Sequence, residues 1–182
     1  FFLGAAGDAN PYHAGAKPTS LALANSKELG AKLAAVVADS IQNIQDYQTH
    51  GLFSFNNVRY SLAPNKISKV ESVAAEVNTL LLTKDIALAS FSGEFFSQFG
   101  LELKQQSPVK HTLFLGYTNG SIGYIPTEEA VQFGGYGAEK NDLWFEVGTG
   151  KFQINEAIRS LTTQHQKRKT EIKAGPRENG ER

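Results

Sequence analysis

The stretch Ile86-Ala87-Leu88-Ala89-Ser90-Phe91-Ser92-Gly93-Glu94-Phe95-Phe96 decides the fold. Its first six residues are apolar or small and read as a strand. Ser92-Gly93-Glu94 interrupts that strand. From Phe95 to Gln106 the apolar residues Phe96, Phe99, Leu101 and Leu103 read as a helix. Upstream, Val73–Leu82 is also strand-like and is separated from Ile86 by Thr83-Lys84-Asp85, which signals a hairpin. Downstream, Thr112–Tyr117 is a short continuous apolar run, expected to be a strand buried on both faces.

Further out, Leu52–Leu62 carries Phe53, Phe55, Val58, Tyr60 and Leu62 among polar residues. The alternation slips once, so a bulge is expected near Asn56-Asn57. From Ser26 to about Asp46, Leu29, Leu33, Val36, Val37, Ser40, Ile41 and Ile44 recur at three- and four-residue steps, the pattern of an amphipathic helix with Ser26 as its N-cap. Pro126-Thr127-Glu128-Glu129-Ala130 opens a short helix capped by Thr127 and closed by Gly134-Gly135. A last helix is expected over Phe152–Thr163. The charged residues 166–182 are expected to be a disordered tail. The mix of strands and helices argues for one α/β or α+β body, and the expected fold class is α/β: a mixed sheet with flanking helices over 1–165.

Composition narrows the function. The 182 residues are 41% hydrophobic and 20% charged, an ordinary globular balance. A chain of this length can bury about 70% of its unfolded surface, enough for a real core. Eighteen basic and 18 acidic side chains cancel, so there is no electrostatic case for nucleic acid or an anionic membrane. Zero Cys excludes disulfides, thiolate metal sites and cysteine nucleophiles. No apolar run approaches the roughly 18 residues that span a bilayer. Met is also absent and the sequence opens on Phe1, so it is expected to be a processed or truncated piece that starts inside a buried strand.

Three loops follow strands and set polar residues against apolar flanks: Gly7-Asp8-Ala9-Asn10-Pro11, Ser92-Gly93-Glu94, and Asn119 to Tyr136. Strand ends are where α/β sheets place their sites. Glu94 stands where burial is expected. Its carboxylate either needs a metal, an arginine or backbone N–H groups, or it simply caps the next helix. Tyr117, Tyr124 and Tyr136 cluster with glycines, a pattern that aromatic packing also explains. His13, His50, His111 and His165 lack the spacing of a metal pair and read as isolated residues. There is no nucleophile elbow, phosphate loop or dinucleotide fingerprint.

Taken together, the loops resemble the neutral/alkaline non-lysosomal ceramidase family, secreted zinc amidases of the ceramide N-acyl bond. The matching stretches are Phe-Phe-Leu-Gly-Ala-Ala-Gly-Asp-Ala-Asn-Pro at 1–11, Ala-Ser-Phe-Ser-Gly-Glu-Phe-Phe at 89–96, Gly-Tyr-Thr-Asn-Gly-Ser-Ile-Gly-Tyr-Ile-Pro-Thr-Glu-Glu-Ala at 116–130 and Gly-Gly-Tyr at 134–136. The resemblance implies the C-terminal part of a catalytic domain in a secreted or periplasmic protein acting on a ceramide-like lipid or another N-acylated substrate. It implies zinc, with Glu94 and Tyr124 as ligands and Tyr136 lining the reaction centre. Two departures accompany it. The family's two histidine ligands lie upstream of the Gly-Asp loop, outside this sequence. Its nucleophilic serine is replaced by Asn10, which cannot be acylated as serine can but can donate a hydrogen bond to an oxyanion. Asp8 is expected to shape the loop that holds Asn10. Zinc-activated water is then an expected alternative nucleophile. By itself the chain is expected to be inactive, since two ligands do not complete a zinc site. The competing expectation is a non-catalytic lipid- or glycan-binding module on the same scaffold.

Overall fold

The computed structural model describes residues 2–11, 19–47, 49, 51, 53–65, 72–141 and 143–174. The chain divides into two compact units, Phe1–Ala9 with Leu52–Arg182 and Asn10–Gly51.

The smaller unit contains helix α1 (Thr19–Gln42). It begins seven residues before the expected cap, because Thr19–Asn25 is rich in Ala and Leu, both strong helix formers. Ser26 is therefore inside the helix. The predicted stripe is present and exposed: Leu29, Leu33, Val36, Val37 and Ile41 all face solvent. Lys32 and Glu28 pair one turn apart at 2.6 Å.

The larger unit is built on a four-stranded sheet in the order β1-β2-β3-β5. The strands are β1 (Ser54–Leu62), β2 (Val73–Leu81), β3 (Ile86–Phe91) and β5 (His111–Leu115). Between β3 and β5 come the two-residue strand β4 (Glu94–Phe95) and helix α2 (Ser97–Gln106). After β5 follow β6 (Tyr124–Ile125), α3 (Glu128–Phe133) and α4 (Thr149–Ala174). The pairs β1/β2 and β2/β3 are antiparallel, and β3/β5 is parallel. The sheet is thus mixed and the helices flank it, as the α/β reading expects. The parallel step follows from the α2 crossover, which returns the chain in the same direction.

Register decides which side chains meet. Opposite one another on one face lie Val77 and Phe91, Thr79 and Ala89, then Ala89 and Phe114. Helices α2 and α4 cover this face and bury it with Phe99, Leu103, Ile154, Ala157 and Leu161. Phe91 stacks on Phe114 at 4.5 Å and touches Phe95 at 5.0 Å. Each buried Phe of this cluster is worth roughly 1.5–3 kcal/mol of apolar transfer.

Several expectations change here. There is no bulge at Asn56-Asn57: both residues stay in register, opposite Thr79 and Asn78. The apolar alternation slips because Asn56 occupies a position on the helix-covered face. Its amide donates to Ser160 Oγ at 2.8 Å, and Ser160 meets Thr79 Oγ1 at 2.6 Å. Phe53 and Phe55 are consequently exposed. The double burial expected of β5 is only partial: Thr112 and Phe114 lie on the helix-covered face and Leu115 is buried at the strand's end, but Leu113 on the opposite face is exposed. The opening residues Phe2 and Leu3 are exposed, with one ladder-like bond from Gly116 N to Leu3 O. Helix α4 continues well past Thr163 to Ala174, through Lys and Arg residues that favour helix without needing burial. Residues 175–182 of the expected tail lie outside the described ones.

Candidate functional site

The three loops singled out in the sequence are brought together by backbone hydrogen bonds. Glu94 N donates to Gly123 O at 2.9 Å and Phe96 N to Ile125 O at 3.1 Å, so β4 and β6 run parallel with Glu94 directly beside Tyr124. The first loop closes on the second through Gly7 N, which donates to Phe95 O at 2.8 Å. A side chain at Gly7 would put its Cβ 2.2 Å from Glu94 O, so only glycine permits this approach. The third loop is tied back by Tyr117 N to Gly93 O at 3.2 Å.

Around Glu94 this produces a cluster of tyrosines. Tyr117 Oη donates to Glu94 Oε2 at 3.3 Å. The Tyr124 phenol is held far above its usual range, first by hydrogen bonding with Tyr136, then by burial and by the hydrogen bond and negative charge of Glu94. Burial and the Glu94 charge also raise Tyr117. The rings of Tyr124 and Tyr136 meet edge to face at 5.4 Å. Gly137, at φ 75°, lets the backbone run against the Tyr124 ring, where a Cβ would come within 2.8 Å. Tyr136 itself is 79% exposed. Beside Tyr124 the recess walled by Ile125, Pro126 and Phe145 is only about 10 Å³, room for about one water.

Asp8 caps α2. That helix has Phe96 at its N-cap, which offers no side-chain acceptor. Asp8 Oδ1 accepts from Ser97 N at 2.6 Å and Oδ2 from Ser97 Oγ at 3.0 Å. The capping role weighed for Glu94 in the sequence therefore falls to Asp8. Asn10 is exposed and opens the smaller unit. Thr127 caps α3 as read, accepting from Ala130 N at 3.1 Å.

Two groups at the site went unassigned in the sequence. Tyr117 was recognised only as one of three tyrosines among glycines, and its contact with Glu94 had no local signal. Glu76 on β2 gathers Asn78, Asn119, Asn57 and Arg59, in that order of influence, and these bonds hold its carboxyl down at about 2. Asn119 Nδ2 donates to Glu76 Oε1 at 2.6 Å, linking the third loop to the sheet.

Glu94 and Tyr124 present two oxygen atoms on paired strand positions. Among the described residues no group of three or more His, Asp or Glu converges to hold a metal. His111 is exposed on β5 and His165 lies on α4, where burial and then Lys169 lower it. His13 and His50 lie outside the described residues. No described helix is long and apolar enough to cross a membrane.

Two solved structures resemble the chain in part. One is the neutral ceramidase from Pseudomonas aeruginosa, with a TM-score of 0.44 and 14% identity, covering 52% of this chain and 16% of that one. The other is a ceramidase complexed with C2, with a TM-score of 0.43 and 13% identity, covering 53% and 15%. The chain therefore spans about one sixth of the length of the ceramidases it matches. No protein-family model and no curated protein matches it. Scores this low say nothing about chemistry, which comes from the residues.

Proposed function

We propose that the chain carries part of the active site of a secreted, zinc-dependent, ceramidase-like amidohydrolase that cleaves the N-acyl bond of a ceramide-like lipid. The observation that carries the reading is the meeting of three motif-bearing loops around one carboxylate, with Tyr117 and Tyr124 beside Glu94 and Tyr136 against the Tyr124 ring. Glu94 and Tyr124 would hold the metal, with histidines from outside this sequence. When bound, zinc would polarise the acyl carbonyl and lower the pKa of a water. Tyr124 keeps its proton in the present surroundings, because Tyr136 and the Glu94 charge both favour the neutral phenol. A cation at this point reverses that preference. Tyr136, exposed beside Tyr124, would donate to the oxygen that gains charge during acyl transfer. The amide of Asn10 cannot be acylated as a serine can, so this reading does not use it as a nucleophile.

A second reading has its own support. Phe133 at the end of α3 and Tyr136 and Trp144 on the segment after it are exposed, as aromatic residues that bind lipid or glycan without turnover would be.

The test is zinc analysis of the complete protein and its Glu94→Gln form, with a screen of amide- and ester-linked lipids. Zinc bound by the first and lost from the second, with turnover that disappears in Tyr136→Phe, supports the hydrolase. Equal zinc in both removes the ligand assignment. Saturable binding without turnover supports the binding module.

A further inference from the structure

Tyr117 and Asn119 both adopt left-handed backbone, at φ 55° and 59°, and Gly120 follows at φ 131°. A tyrosine is rarely found there, because its Cβ crowds the following carbonyl. Such a conformation persists where the surroundings over-determine it. Four bonds do so here. Tyr117 N donates to Gly93 O at 3.2 Å, and Thr118 N to Phe91 O at 3.0 Å. Ser92 Oγ donates to Thr118 O at 2.8 Å. Asn119 Nδ2 reaches across to Glu76 Oε1 at 2.6 Å. Glu76 is in turn fixed by Asn78 Nδ2 on the same oxygen at 3.1 Å, and by Asn57 Nδ2 and Arg59 Nε on Oε2 at 3.1 and 3.2 Å. The result of this bracing is one contact: Tyr117 Oη on Glu94 Oε2.

We propose that Tyr117 is a positioning residue that orients the Glu94 carboxylate, and that the Glu76–Asn119 clamp holds Tyr117 in its strained backbone to do so. A carboxylate held at one oxygen by a fixed donor presents its other oxygen in a narrow range of directions. In its role toward a metal the inference rests on the zinc reading above. The Tyr117–Glu94 contact and the clamp behind it do not.

Two measurements on the complete protein separate these. The first follows each tyrosine ring by NMR with ring-labelled tyrosine at neutral pH. The Tyr117 Cζ resonance reports the hydrogen bond of its hydroxyl, so Glu94→Gln should shift it by removing the carboxylate acceptor. Asn119→Ala should shift it too, as the clamp opens and Tyr117 leaves Glu94. A Tyr117 resonance unchanged in both variants overturns the contact. The second is titration with zinc alone. Tyr117→Phe and Asn119→Ala should each weaken zinc binding about 10-fold or more, while Glu94→Gln abolishes it. Wild-type zinc affinity in Tyr117→Phe and Asn119→Ala, alongside loss in Glu94→Gln, overturns the positioning role while leaving the zinc reading intact. Wild-type affinity in Glu94→Gln removes the zinc reading and the metal role with it, and the Tyr117 resonance still decides the contact.

Discussion

Replacing Asp8 with alanine should destabilise the larger unit through a helix that Asp8 does not belong to. Helix α2 starts without a capping side chain of its own, and its first amide is satisfied by a carboxylate 89 residues earlier. Loss of a capping acceptor costs typically about 1 kcal/mol, in a range of about 0.5–2. The negative charge at a helix N-terminus adds about 0.3–1 kcal/mol, at the low end here because Asp8 is exposed. Phe99 and Leu103 are buried beneath α2, so fraying of the first turn also loosens core contacts. The sum is about 1–2 kcal/mol. For a protein of this size each kcal/mol lowers the melting temperature by about 2–4 °C, so Asp8→Ala should melt about 2–8 °C below wild type. Asp8→Asn keeps an acceptor and loses only the charge, and should fall between the two. Ser97→Ala removes the Oγ bond and leaves the backbone cap, and should cost least. The assay is thermal unfolding followed by circular dichroism, paired with hydrogen exchange at the Ser97 amide. Exchange there should speed up by roughly tenfold for each 1.4 kcal/mol lost. An unchanged melting temperature together with an unchanged Ser97 amide in Asp8→Ala would refute the capping argument.

Two further outcomes follow from the same structure. Glu76 titrates at about 2 in the folded chain against an ordinary 4.5, so its stabilising effect is complete above pH 4.5 and is lost as pH falls toward 2. Glu76→Gln should flatten the decline in melting temperature over that window, and an unchanged acid limb would show that the Asn78, Asn119 and Asn57 bonds do not hold the charge. Gln153 on α4 is fully buried, and neither atom of its amide finds a hydrogen-bond partner among the described residues. Gln153→Met should raise stability by about 1–3 kcal/mol in denaturant unfolding, and a loss would mean that the amide is bonded after all.

Much of the scaffold was readable from local pattern. The β2–β3 hairpin follows from two apolar runs around Thr83-Lys84-Asp85, and the structure closes that turn with Asp85 N and Ile86 N both donating to Thr83 Oγ1. Thr127 as the cap of α3 and Gly134 at its end were equally legible, since both signals lie within one turn of the residues they serve. Errors arose where a distant partner outweighed local pattern. Asn56 looked like the seat of a bulge because nothing nearby announces Ser160, 104 residues away. β5 looked buried on both faces because an apolar run does not reveal that Leu113, on the face away from the helices, is left uncovered. The length of α4 was underestimated because an apolar stripe was required of residues whose helix propensity is sufficient.

The candidate site divides along the same line. Glu94 was marked by the sequence as a carboxylate between apolar segments, and Tyr117, Tyr124 and Tyr136 as tyrosines set among glycines. Those features depend on residue type and on neighbours a few positions away. Which tyrosine touches Glu94, what caps α2 and what holds Asn119 are settled by groups 23, 89 and 43 residues apart in the chain. Hydrogen bonds over such separations exist only once β4 has paired with β6 and the first loop has closed on Phe95 through Gly7. By itself the sequence determined an α/β framework and the residue types at its loops. The tertiary structure decided their partners, because pairing register and backbone approach, not side-chain identity, bring a hydroxyl within reach of a carboxylate.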